Sequence, residues 1–183
     1  DIPVNVKYSF KNGSHLQAGA VLRKMYYKDE IEDKDRIVTG WGASLSGIWQ
    51  FAQNTSLCFQ GVYGKGISNY IQDISGTGLD LVPNATAEGK LKAFGAWGGY
   101  IGFSHNWSKV LTSNIMYSYA RVLDRYGMPT TSYKYAQYAA ANLFWDFSEY
   151  GSCAIEYVFG RRNDFNKDYG NASRINTMIQ YRF

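Results

Sequence analysis

The chain has 183 residues, of which 17% are aromatic, with 19 Gly but only 3 Pro, 2 Cys and 2 His. A mean hydropathy of −0.34 excludes a bundle of transmembrane helices, which needs runs of about 20 apolar residues. A hydrophobic fraction of 45% excludes disorder, and two cysteines exclude a disulfide scaffold or a four-cysteine zinc site.

Alternation with period 2 runs from end to end and predicts nine strands. They fall at 2–10, 15–27, 38–51, 56–65, 91–104, 110–123, 132–147, 152–162 and 173–183. Most exceed the roughly 5–6 residues of soluble strands and reach the roughly 9–11 that a tilted strand needs to cross a bilayer. The whole chain, 1–183, reads as a single all-β domain. No basic segment followed by an apolar one opens it, so it is expected to be mature, trimmed or a fragment.

Connections alternate between two classes. Those at 11–14, 52–55, 105–108 and 148–151 are short, and Asn12-Gly13 is a strong hairpin signal because both residues tolerate positive φ. Those at 28–37, 66–90, 124–131 and 163–172 are longer and polar. Tight turns on one side and long loops on the other predict an antiparallel up-and-down transmembrane β-barrel with its short turns in the periplasm. A soluble lipocalin-like barrel is the alternative.

The facing pattern separates the two. In the first strand Val4, Val6, Tyr8 and Phe10 oppose Asn5, Lys7 and Ser9. In the last, Ile175, Thr177, Ile179, Tyr181 and Phe183 oppose Arg174, Asn176, Met178, Gln180 and Arg182. Apolar strand faces that end in rings at both rims belong to a lipid-facing wall. Trp49, Phe51, Trp145 and Phe147 are expected in a lower girdle, and Trp41, Tyr63, Tyr119 and Phe159 in an upper one.

The terminal Tyr181-Arg182-Phe183 resembles the ending of bacterial outer-membrane proteins, in which a final aromatic is the signal read by the barrel-assembly machinery. That resemblance puts the C-terminus in the periplasm. Bacterial barrels have an even number of strands. Nine strands therefore predict that N-terminal strands are missing and that this is the C-terminal part of a larger barrel. If residues 1–10 are not a strand, the alternative is a small closed eight-stranded barrel serving adhesion or anchoring without conduction.

The formal charge of +4 conceals a partition, with acidic residues in the outer loops and basic ones on the strands. Lys7, Arg23, Lys92, Lys134, Arg162, Arg174 and Arg182 share the polar parity and are expected in the lumen, with Glu156 and Asp146 as candidate partners. An excess of Lys and Arg in a pore favours anions. Gly42, Ser44, Ser46, Gly98, Gly102, Ala136 and Ala140 have the same parity and leave space. Lys24, Lys65, Arg121 and Arg161 take the lipid parity at the outer strand ends. There a cation costs about 0–1 kcal/mol instead of about 2–4 at the midplane. These four suit either lipopolysaccharide phosphates or water.

Loop 66–90 is the longest; it can fold inward as a constriction, although such a loop more often packs over the mouth or a neighbour. The charged run 28–36 lacks the spacing of an EF-hand and reads as a solvated surface. His15 and His105 lie beside expected periplasmic turns, and Cys58 and Cys153 have opposite parity. Neither pair suits a catalytic or metal site. No enzyme activity, cofactor, metal or nucleic-acid partner is expected.

Several segments resemble the DcaP-like family of outer-membrane porins. They are Gly40-Trp41-Gly42-Ala43-Ser44-Leu45-Ser46-Gly47, Tyr63-Gly64-Lys65-Gly66-Ile67-Ser68-Asn69-Tyr70, Glu156 to Arg162, and Ser173 to Phe183. The resemblance covers most of this chain but only the C-terminal half or so of such a porin. It implies a homotrimeric barrel of about sixteen strands in the outer membrane of a Gram-negative bacterium. Such a barrel passes small anionic solutes, dicarboxylates among them. The expected partners are outer-membrane lipid and lipopolysaccharide, those solutes, and the barrel-assembly machinery.

Overall fold

A computed structural model describes residues 1–125 and 127–183; Tyr126, in the expected loop 124–131, lies outside the described residues. The wall strands are β1 (Ile2–Ser9), β2 (His15–Asp29), β3 (Lys34–Ala52) and β4 (Thr55–Lys65). After β4 come two single 3-10 turns, Ser68–Tyr70 and Gln72–Ile74, and a small hairpin of β5 (Leu81–Pro83) and β6 (Leu91–Ala93). The wall resumes with β7 (Gly95–Asn106), β8 (Leu111–Val122), β9 (Tyr133–Asp146), β10 (Gly151–Asp164) and β11 (Tyr169–Tyr181).

Among the described residues the nine wall strands form one antiparallel sheet in the order β1-β2-β3-β4-β7-β8-β9-β10-β11. Each strand pairs with its neighbour in sequence, so the expected up-and-down meander is the fold. The sheet does not close on itself: β1 and β11 form its two edges. Residues 2–9 pair fully with 22–15, from Ile2↔Leu22 to Ser9↔His15. The edge of β2 that would have to meet β11 in a closed eight-stranded barrel is therefore occupied by β1.

The strand ends differ from expectation on the outer side. β2 and β3 stay paired up to Asp29↔Lys34, and β10 and β11 up to Asn163↔Tyr169, so both hairpins project beyond the girdles with tight tips. Lys28 and Asp33 form an ion pair at 2.6 Å on the first of these tips. Backbone pairing stays favourable in water as well as in lipid, so strands need not end where hydrophobic alternation ends. On the other side Gly13 takes φ +85°, which lets the amide of Gly13 donate to the Phe10 carbonyl in the expected Asn12-Gly13 turn.

The wall has two unlike faces, because successive side chains alternate across a strand. The apolar face carries Val4, Val6, Ile115, Ile155, Ile175 and Ile179, each more than half exposed. Rings gather at its two ends. At one end Trp41 meets Tyr63 at 5.7 Å, and Trp97, Tyr119 and Tyr135 stack in sequence at 4.9 and 5.5 Å. At the other, Phe10 meets Trp49 at 5.6 Å and Trp145 meets Phe147 at 5.9 Å.

Candidate channel lumen

The opposite face carries the small and polar residues, and the segment between β4 and β7 lies on it. Ile67, Ile71, Ile74, Val82 and Phe94 from that segment bury themselves against Ala96, Ala120 and Val122 of the wall. This is the buried hydrophobic cluster among the described residues. The wall gives way to it with glycine. A Cβ on Gly42 would stand 2.9 Å from Ile67 Cγ2, and one on Gly98 would stand 3.1 Å from Ile71 Cγ2. Of the two arrangements open to this loop, the inward one is found.

Polar contacts fix the same loop. Arg23 on β2 donates from its guanidinium to Asp80 Oδ2 at 2.8 Å, to Asp1 at 3.2 Å and to the Gly66 carbonyl. Its plane lies 5.2 Å from the Tyr70 ring, and the Tyr70 hydroxyl donates to Asp1 at 2.9 Å. Asp80 also accepts from Ser68 Oγ at 2.8 Å and Asn69 Nδ2 at 3.0 Å. Arg23 has the expected parity but is matched by two carboxylates.

The other expected lumen residues divide by partner. Lys92 was expected on a wall strand, 91–104, but the chain breaks that strand at Phe94. Lys92 pairs with Val82 in the β5–β6 hairpin and so rides on the loop. Arg162 bridges Asp164 at 2.9 Å and lies 5.7 Å from the Tyr133 ring, while Lys134 stands 6.0 Å from the Phe165 ring. Lys7 and Arg182 form no ion pair among the described residues. Arg182 lies just past β11, and its amide still donates to the Tyr150 carbonyl at 2.7 Å.

Glu156 is the centre of a row that the sequence does not announce. Register aligns Asn114↔Asn142, Asn142↔Glu156 and Glu156↔Asn176 across β8 to β11. Asn176 donates to Glu156 Oε1 at 2.9 Å, Asn142 to Oε2 at 3.3 Å, and Asn114 to Asn142 at 2.8 Å. Arg174 lies two residues before Asn176 on the same face of β11, opposite Val158 of β10.

Of the four outer cations on the lipid parity, Arg161 is engaged, donating to Asn163 at 3.1 Å with its plane 4.2 Å from the Tyr169 ring. Lys65 and Arg121 face Trp41 and Trp97 in register, within the upper ring band, and Lys24 faces Thr39. His105 Nδ1 lies 2.8 Å from Thr55 Oγ1 at the opposite end, beside Trp107.

A strand meander with an apolar outer face, two aromatic bands and an inward-folded loop defines the wall of an outer-membrane β-barrel. No protein-family model matches the sequence, and no curated protein sequence is significantly similar to it. Among solved structures the chain is similar to the outer membrane channel DcaP of Acinetobacter baumannii, with a TM-score of 0.79 at 19% identity. The match covers 99% of this chain and 51% of that one, so the chain spans about half the length of that channel. The NanC porin (TM-score 0.49) and the KdgM porin (TM-score 0.37) each match 99% of this chain at 11% identity, over 92% and 91% of their own lengths. The fold is thus shared with the DcaP channel over about half of that channel's length, and the resemblance expected from the sequence is met at the level of fold.

Proposed function

We propose that this chain forms part of the wall of a passive outer-membrane diffusion channel that prefers small anions, of the size and charge of dicarboxylates. The observation that carries the reading is the loop folded onto the lumenal face by Arg23 and the isoleucines, an arrangement that narrows a pore. Several acidic groups near the loop are engaged, Asp80 and Asp1 by Arg23 and Asp164 by Arg162, while Asp73 and Glu88 of the loop form no ion pair among the described residues. On the wall itself Lys7, Lys134, Arg174 and Arg182 outnumber Glu156 and Asp146, which supports anion preference.

The two unpaired edges of the sheet support assembly with further strands, in a barrel of about sixteen, since an open edge in lipid leaves backbone groups unsatisfied. A homotrimer, an assembly signal at Phe183, and contact of Lys24, Lys65, Arg121 and Arg161 with lipopolysaccharide phosphates belong to the same reading. The test is single-channel recording of the full-length protein across a salt gradient. A reversal potential favouring chloride over potassium is expected; one favouring potassium sinks the anion preference, and absence of conductance sinks the channel itself.

A further inference from the structure

A recess of about 540 Å³ lies between the inward loop and the lumenal face of the wall. Its size falls within the roughly 300–1,000 Å³ of small-molecule sites. The floor is one cross-strand row, Gln60↔Tyr100↔Ser118↔Tyr138, running through β4, β7, β8 and β9 in direct register. Neighbouring strands lie about 4.8 Å apart, so the row is about 14 Å long. Ile71, Gln72 and Asp73 of the loop form the roof.

Two features of this recess point to a ligand. The amide of Gln60 and the hydroxyls of Tyr100, Ser118 and Tyr138 line it, and none of these four side chains makes a hydrogen bond among the described residues. None of the four is buried, so each is open to water, and the hydroxyls of a solute can take the place of that water. The lining also contains no Lys or Arg, and its charged group is the carboxylate of Asp73. It therefore does not suit the anions attracted by the rest of the lumen. Tyrosine faces accept the C–H face of a saturated ring, while an amide and hydroxyls satisfy donors and acceptors on its edge.

We propose that this recess is a binding subsite for an uncharged, hydroxyl-bearing ring of hexose size, held on the Gln60–Tyr138 row beneath the loop. The row accommodates about two such rings end to end. The site is preformed, because the roof is anchored by Arg23 to Asp80 and by Ile67 and Ile71 to the glycines of the wall. It rests on the channel reading only in that solute must enter from the lumen; binding itself needs no conduction.

Calorimetric titration of the full-length protein in detergent with maltotriose is the test, with conductance measured separately. Saturable millimolar binding is expected. Gln60→Leu and Tyr138→Leu should each weaken it about fivefold or more, and Tyr138→Phe, which keeps the ring, should weaken it less. Binding is read only on variants that retain the heat-modifiable mobility of a folded barrel. Absence of saturable heat with the wild-type protein, or equal affinity in the folded variants, overturns the proposal. Binding without conductance would overturn the channel and leave the subsite standing; conductance without binding does the reverse.

Discussion

Arg23 and Asp80 are 57 residues apart in sequence and meet at 2.8 Å, with side chains only 11% and 15% exposed. The pair joins the wall to the loop that lies across it. Replacing Arg23 with Met leaves the carboxylates of Asp80 and Asp1 without their cation. Hydrogen bonds to charged groups contribute about 1.5–3 kcal/mol, so a loss of about 1–3 kcal/mol in urea unfolding from lipid vesicles is expected. A double-mutant cycle with Asp80→Asn should return most of that as coupling, and the channel should become noisier as the loop loosens.

Small residues beneath the loop give a second prediction. Gly42→Leu and Gly98→Leu place side chains where Ile67 and Ile71 now sit, at Cβ distances of 2.9 and 3.1 Å. Overpacking of this kind costs about 1–3 kcal/mol, and the loop is the part free to yield. Protease cleavage within 66–94 of the folded protein should speed up. Gly61→Ala, whose Cβ meets nothing within 4 Å, should leave the cleavage rate unchanged.

Glu156 should matter in two measurements. Glu156→Ala removes the acceptor for Asn142 and Asn176 and should cost about 1–3 kcal/mol in the same unfolding assay, because two amides lose a partner. Glu156→Gln keeps an acceptor oxygen and should cost less. Either change removes a lumenal negative charge, so the reversal potential should move further toward chloride.

The β2–β3 hairpin tip should respond to acid. Asp29 is buried, and its Oδ1 accepts from the amides of Ile31 and Glu32, both at 3.2 Å; Arg36 stands 3.5 Å from Oδ2. The Glu32 amide is the main cause holding the Asp29 carboxyl below its ordinary value of 3.8; burial opposes it, and the Ile31 amide and Arg36 reinforce it. A carboxylate with a lowered folded pKa stabilises above its unfolded pKa, and that stability is lost as pH falls through the folded one. Amide-exchange protection at Ile31 and Glu32 should therefore hold above about pH 4 and fall below it. Asp29→Asn should remove that pH dependence; an unchanged acid transition in the variant would contradict the assignment.

Some of this is legible along the chain and some is not. Alternation is a local property, so Val4, Val6 and Tyr8 against Asn5 and Lys7 already identify the strand, its two faces and its place in a lipid-facing wall. The rings of both girdles follow from the same parity. Partners across the sheet are another matter. Arg23 reads as a free lumenal cation until the fold brings Asp80 and Asp1 to it, and Lys92 reads as a wall residue until Phe94 turns the chain. The spacing Ile67, Ile71, Ile74 within a polar segment was the available sign that the loop had something to bury against.

The sequence by itself determined the strand meander, the faces and the membrane solvent, because period 2 and ring placement act within one strand. Only the tertiary structure decided which charges are neutralised, that the loop lies inside, and that Gln60, Tyr100, Ser118 and Tyr138 form one row whose side chains make no hydrogen bond among the described residues. Those outcomes depend on register and on contacts between residues tens of positions apart, and local alternation carries no record of either.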